Sequence, residues 1–126
     1  MNKAAPISTP PMHASHASPV HAFTVDVEDW FHILESDATP DVEAWSGMES
    51  RVERSTTLLL DMLDRHGCKG TFFVLGWIAE KHPQLLVEIA RRGHELGSHS
   101  HVHSLVSQLS PDAFARDLNQ SLEAIH

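Results

Sequence analysis

Apolar positions in the chain fall into two alternating patterns: short continuous runs, and stripes with three- and four-residue spacing. The first run, Ala22-Phe23-Thr24-Val25-Asp26-Val27, is β-branched and aromatic and predicts a short buried strand. The text from Trp30 to Trp45 is irregular and contains Pro40, which predicts a long surface loop. Between Gly47 and His66, the residues Val52, Thr56, Leu59, Leu60 and Leu63 form a helical stripe, and Gly67 supplies the stop. Gly70 to Leu75 is a second strand-length run, ended by Gly76 and followed by a short helical turn from Trp77 to His82. Pro83 opens another helix in the favoured first-turn position, with Leu85, Leu86, Ile89 and Ala90 as its apolar face and Gly93 as its end. Glu95 to Ser98 reads as a third strand. Ser110 caps a last helix from Pro111 to at least Ile125, whose stripe is Phe114, Leu118, Leu122 and Ile125.

Strands alternating with helices predict an α/β protein with a parallel sheet. The strands FTVDV and GTFFVL lack a polar face, so both are expected to be covered on two sides. In such folds, chemistry gathers at the carboxyl ends of the strands. Two polar clusters fall there: Asp26, Glu28 and Asp29 after the first strand, and His99, His101 and His103 after the third.

At 126 residues, the chain has room for one domain. A formal charge of -8, with only Arg91 and Arg92 adjacent among the basic residues, argues against nucleic acid as a partner. Residues 1–21 are rich in Ala, Ser, Pro and His without periodicity, and are expected to be a disordered leader. They hold no apolar run of signal-peptide length, and no stretch approaches the roughly 20 apolar residues of a membrane span, so a cytoplasmic location is the expectation. The single cysteine, Cys68, excludes an intrachain disulfide and reads as a small apolar residue before a strand. Histidine is over-used, at eleven residues. His13, His16 and His21 lie in or beside the leader and His32 in the loop after the first strand, while His94, His99, His101 and His103 crowd together.

In an extended backbone, Asp26 and Glu28 face the same side, and Asp29 joins them only if the chain has already turned. His99 and His103 can meet one ion across a helical or turn-like step; if the backbone stays extended, His101 aligns with them instead. A divalent ion held by two imidazoles and one carboxylate keeps positions open for water and substrate. A second, uncoordinated carboxylate can then take a proton from that water. These are the parts of metal-assisted amide hydrolysis. A serine nucleophile is disfavoured because no Gly-x-Ser-x-Gly elbow is present, and Cys68 lies at the opposite end of its strand. Phe31, Phe73 and Trp77 read as core or pocket wall; Trp30, next to the acids, is the aromatic placed to stack on a sugar. His94 sits in a turn and reads as structural.

The blocks FTVDVEDWF, KGTFFVLGWIAEKHP and RRGHELGSHSHVH together resemble the polysaccharide deacetylase family, the NodB-homology domain of the carbohydrate esterase 4 type. The DVEDWF form is most similar to the exopolysaccharide- and exosortase-associated branch. The resemblance covers about residues 22–126 and implies the N-terminal portion of a deformed (β/α) barrel, related to the TIM barrel. It implies removal of N-acetyl groups from the amino sugars of a polysaccharide, with Asp26 as base. It also implies a divalent metal, Zn²⁺ by preference, held by Glu28 (or Asp29), His99 and His103, with Ser100 inside the histidine motif and His101 outside the ligand set. The family's later residues, an Arg that orients the base, aromatic groove walls and a general-acid His, have no counterpart in these residues. Two rival readings follow: a cyclic-amide hydrolase resembling allantoinase, and a non-catalytic metal- or glycan-binding module.

Overall fold

Strand β2 (Thr71–Val74) is the middle of the sheet, and its sequence, TFFV, explains why. Phe72 and Val74 point into a fully buried core, and apolar residues of this kind suit a strand flanked on both edges. β1 (Thr24–Val27) and β3 (Glu95–Ser98) pair with it in parallel, giving the order β1-β2-β3. The register sets Thr24 opposite Thr71 and Val27 opposite Val74 on one side, and Thr71 opposite Glu95 and Val74 opposite Ser98 on the other. The computed structural model describes residues 20–34 and 41–126. The expected leader therefore lies almost wholly outside the described residues.

Four α-helices complete the fold among the described residues: α1 (Val52–His66), α2 (Gly76–Lys81), α3 (Pro83–Arg91) and α4 (Pro111–Ile125). In α1, Val52, Thr56, Leu60 and Leu63 are buried and Leu59 packs beside them, as the stripe predicts. Gly67 ends α1 with φ +63, and Gly93 follows α3 with φ +80; both are left-handed turns that favour glycine. Pro83 opens α3 and Ser110 caps α4, accepting the Ala113 N–H at 3.2 Å. The core joins Val27, Phe72, Val74, Leu75, Ile78 and Ile89 to the inner faces of α1 and α3.

Several expectations need correction. Helix α1 starts at Val52 rather than Gly47, because Val42–Gly47 forms a separate short 3-10 turn. The segment from Trp30 onward is not a surface loop where it is described. Trp30–His32 is also a 3-10 turn, and Phe31, His32 and Trp45 are buried against one another and against Trp77. Nor is the sheet covered on both faces by the described residues. Val25, Val27, Phe72, Val74 and Leu96 face the core, whereas Thr24, Asp26 and Glu95 are exposed and Thr71, Phe73 and Gly97 half-buried. Cys68 is exposed, as is Ala90 on α3.

A further correction concerns α4. Phe114 and Leu122 are 40% and 39% exposed, and the fully buried position on this helix is Ser121. Close approach to α2 is the reason. A Cβ on Gly76 would fall 2.8 Å from the Ser121 Cα and collide with the His101 ring, so only small residues fit this crossing.

Candidate metal centre

Both predicted polar clusters sit at the carboxyl end of the sheet, and their neighbours in the chain have sharply different surroundings. Strand β1 ends at Val27, and the backbone then turns into the 3-10 step. Asp29, 3% exposed, faces inward. Its carboxylate accepts from Ser50 Oγ at 2.6 Å, from the Arg51 N–H at 3.1 Å and from the Trp30 and Val52 N–H groups at 3.2 and 3.4 Å. It thus ties the end of β1 to the start of α1, satisfying amides that a helix N-terminus leaves open. With both oxygens so engaged, Asp29 does not join the histidines. Glu28 does.

Glu28, His99 and His103 each offer one ligand atom within 4.8 Å of the others. The His99 and His103 rings are 4.7 Å apart, centre to centre. His99 is fixed where β3 ends by its N–H bond to the Val74 carbonyl, 3.0 Å long. His103 Nδ1 lies 2.8 Å from the His32 carbonyl and 3.1 Å from Glu28 Oε2. A carbonyl and a carboxylate both only accept, so Nδ1 carries the proton, and the nearer His32 oxygen is its hydrogen-bond partner. That choice leaves Nε2 with its lone pair free, the pattern in which a carbonyl behind the ring orients a ligating imidazole. It also leaves Glu28 Oε2 buried without a donor, which costs free energy unless a cation is present. The residues therefore fit a divalent ion.

The turn between the histidines is unusual in its backbone. Ser100 (φ 65) and His103 (φ 58) both adopt the left-handed region without being glycine, at a cost of roughly 1–2 kcal/mol each. Such outliers persist only where surrounding bonds over-determine them. Here Ser100 Oγ accepts the His103 N–H at 3.0 Å. The step at Ser100 also decides between the two spacings: His99 and His103 converge. His101 is buried elsewhere, beside Gly76, with Nε2 4.0 Å from Glu80.

Asp26 lies on the exposed face of β1 and lines one cleft with Glu28, Trp30 and Arg51. His99 and His103 line a second cleft with Leu34, Phe114 and Leu118. The three-residue cluster thus stands between two grooves. Trp30 is partly exposed, with its indole N–H donated to the Glu49 carbonyl at 3.0 Å and the Arg51 guanidinium 5.9 Å from its ring centre.

Two contributors escaped sequence reasoning. His32, 1% exposed, is packed among Phe31, Trp45 and Trp77 and accepts the Asp29 N–H on Nδ1 at 2.8 Å. Burial, helped by His103 and opposed by Asp29, lowers its pKa to about 4, so it is neutral and its carbonyl steadies His103. The Asp29-to-His32 spacing of a capping box was the available signal. Asp117 on α4 accepts the N–H groups of His101 and Val102 at 2.9 and 3.3 Å. Its signal was a polar pair with Ser121, four residues apart on one helix face.

The sequence profile of the polysaccharide deacetylase family matches residues 37–126. The chain is 34% identical over 71 residues to a peptidoglycan-N-acetylglucosamine deacetylase of Bacillus cereus, covering 56% of this chain and 26% of that protein. It is 34% identical over 70 residues to a chitooligosaccharide deacetylase of Rhizobium leguminosarum bv. trifolii, covering 56% and 33%. Among solved structures, peptidoglycan deacetylase PdaC from Bacillus subtilis superposes with a TM-score of 0.62 at 26% identity, over 82% of this chain and 41% of that one. The chain spans about a quarter to a third of the length of these two curated relatives. A parallel α/β unit with this profile along most of its length leads to one conclusion: the chain belongs to the polysaccharide deacetylase family.

Proposed function

We propose that this chain serves metal-dependent hydrolysis of N-acetyl groups on the amino sugars of a polysaccharide, with Glu28, His99 and His103 holding a divalent ion, Zn²⁺ by preference. The single observation behind the reading is the buried, donor-less Glu28 Oε2 within ligand distance of two histidines at the sheet's carboxyl end. The names of the relatives, which act on peptidoglycan and chitooligosaccharide, support the substrate class.

A divalent ion at this point would polarise the amide carbonyl and make a water molecule more acidic. The chain's own residues do the rest. Asp26, on the open face of β1 in the cleft it shares with Glu28, takes the proton of the attacking water on its carboxylate. His103 is held to one tautomer by the His32 carbonyl, so its Nε2 stays available. Trp30, fixed by its bond to Glu49, offers an aromatic wall beside the acids.

Zinc affinity by chelator competition and acetate release from N-acetylglucosamine oligomers test the reading. Wild type should bind one equivalent, and a His99→Ala/His103→Ala double variant should bind at least roughly 100-fold more weakly. Asp26→Asn should keep the metal and lose about 10²–10⁴-fold in acetate release. A double variant that still binds zinc tightly would sink the site. Metal binding without acetate release from wild type would favour a non-catalytic binding module.

A further inference from the structure

We infer that Asp117 is a positioning residue for the metal centre: its carboxylate holds the turn between His99 and His103 in the conformation that brings the two imidazoles together. This deepens the metal reading above and rests on it. The turn is pinned from two sides. On one side, the first amides of α2, Gly76 and Trp77, donate to the Ser100 and His101 carbonyls at 2.9 and 3.1 Å. On the other, Asp117 Oδ2 accepts from the His101 N–H at 2.9 Å and Oδ1 from the Val102 N–H at 3.3 Å. The Ser100 and His101 carbonyls are thus satisfied by α2, and the His101 and Val102 N–H groups by α4. One turn further along α4, Ser121 Oγ bonds Ser98 Oγ at 2.7 Å, and Ser98 Oγ also accepts the Ser100 N–H at 3.2 Å.

A carboxylate is suited to this place because it accepts on two oxygens and donates on neither. The two amides belong to the residues between Ser100 and His103, both of which sit in the left-handed region. Freeing those amides removes constraints that keep the turn strained, and relaxation at either end rotates a histidine away from its partner. Asp117 lines the cleft beside His99 and His103 but is not one of the three clustered ligands, and its bonds there go to the backbone N–H groups of the turn.

The test compares wild type, Asp117→Asn, Asp117→Ala and a control, Arg116→Ala, on the neighbouring exposed position of α4. Zinc dissociation constants come from chelator competition, and ligand geometry from the visible spectrum of the Co²⁺-loaded chain. Asn keeps one acceptor oxygen of nearly the same shape, so Asp117→Asn should weaken zinc by about threefold or more, and Asp117→Ala by about tenfold to 100-fold. Both should alter the Co²⁺ bands, while Arg116→Ala leaves affinity and spectrum unchanged. Asp117→Asn decides the matter even if Asp117→Ala fails to fold. A loss of less than about threefold with a superimposable Co²⁺ spectrum overturns the inference, whatever happens to the melting temperature. Wild type that binds no zinc overturns the metal reading beneath it, a distinguishable result.

Discussion

Glu28 and Asp29 are consecutive carboxylates with opposite surroundings. Asp29 accepts four groups of donors and closes a structural corner, while Glu28 keeps a buried oxygen without one. Strand alternation anticipated Glu28, but not the anchoring of Asp29 to α1, because that contact depends on residues about twenty positions away. His94 shows the same dependence on context. It is buried, and its Nδ1 accepts the Gly70 N–H at 3.1 Å. Burial, reinforced by nearby Lys69 and Arg92 and opposed by Asp64, pushes its pKa below the ordinary histidine value. The unfolded chain therefore takes up this proton first, near pH 6.5. The stability His94 contributes is complete above that pH and is lost as pH falls through it. His94→Asn, which retains an acceptor, should flatten the fall in denaturation midpoint between pH 7.5 and 5 relative to wild type. His32, shifted in the same direction, leaves some slope in the variant. Parallel profiles for the two proteins would count against a depressed His94.

Among the elements, those bounded by glycine or proline were the legible ones. β3 matches its predicted limits, α3 opens at Pro83, and α1 stops at Gly67. The face of α4 was partly legible: Ile125 packs against the core and Leu118 is half-buried, whereas Phe114 and Leu122 are exposed. Hydrophobic spacing selected Phe114, Leu118 and Leu122, but the crossing with α2 selects by size, and Ser121 takes the buried place. The metal pair was partly legible: spacing left His101 open, the family resemblance set it outside the ligands, and the left-handed step at Ser100 turns it away. Gly76 carries the crossing, so Gly76→Ala should destabilise the fold by about 1–3 kcal/mol. The same substitution pushes on His101 and therefore on the metal turn. Denaturant midpoints should fall and zinc affinity should fall with them; an unchanged affinity would mean that the crossing and the turn are mechanically independent.

Across the whole molecule, the proposed ligands come from two outer strands that never touch each other. Glu28 follows β1, His99 and His103 follow β3, and β2 lies between them. An ion bound there would bridge both edges of the sheet and stabilise the folded state by mass action. At a free zinc concentration 100 times the dissociation constant, the gain is about 2.7 kcal/mol. Thermal melts should rise with zinc in wild type and fall back with chelator, and the His99→Ala/His103→Ala variant should not respond. Equal responses in both proteins would place the stabilising ion elsewhere.

The register of the sheet also sets an order of assembly. Pairing Thr71 with Glu95 closes a loop about half as long as pairing Thr24 with Thr71. Longer closure costs more chain entropy, about 0.6 kcal/mol per doubling, and non-local strand pairing slows folding. The unit running from β2 through α3 to β3 should therefore form first, carrying both histidines, while β1 docks afterwards and delivers Glu28. In a refolding experiment, acquisition of tight metal binding would then be the clock that marks the final step.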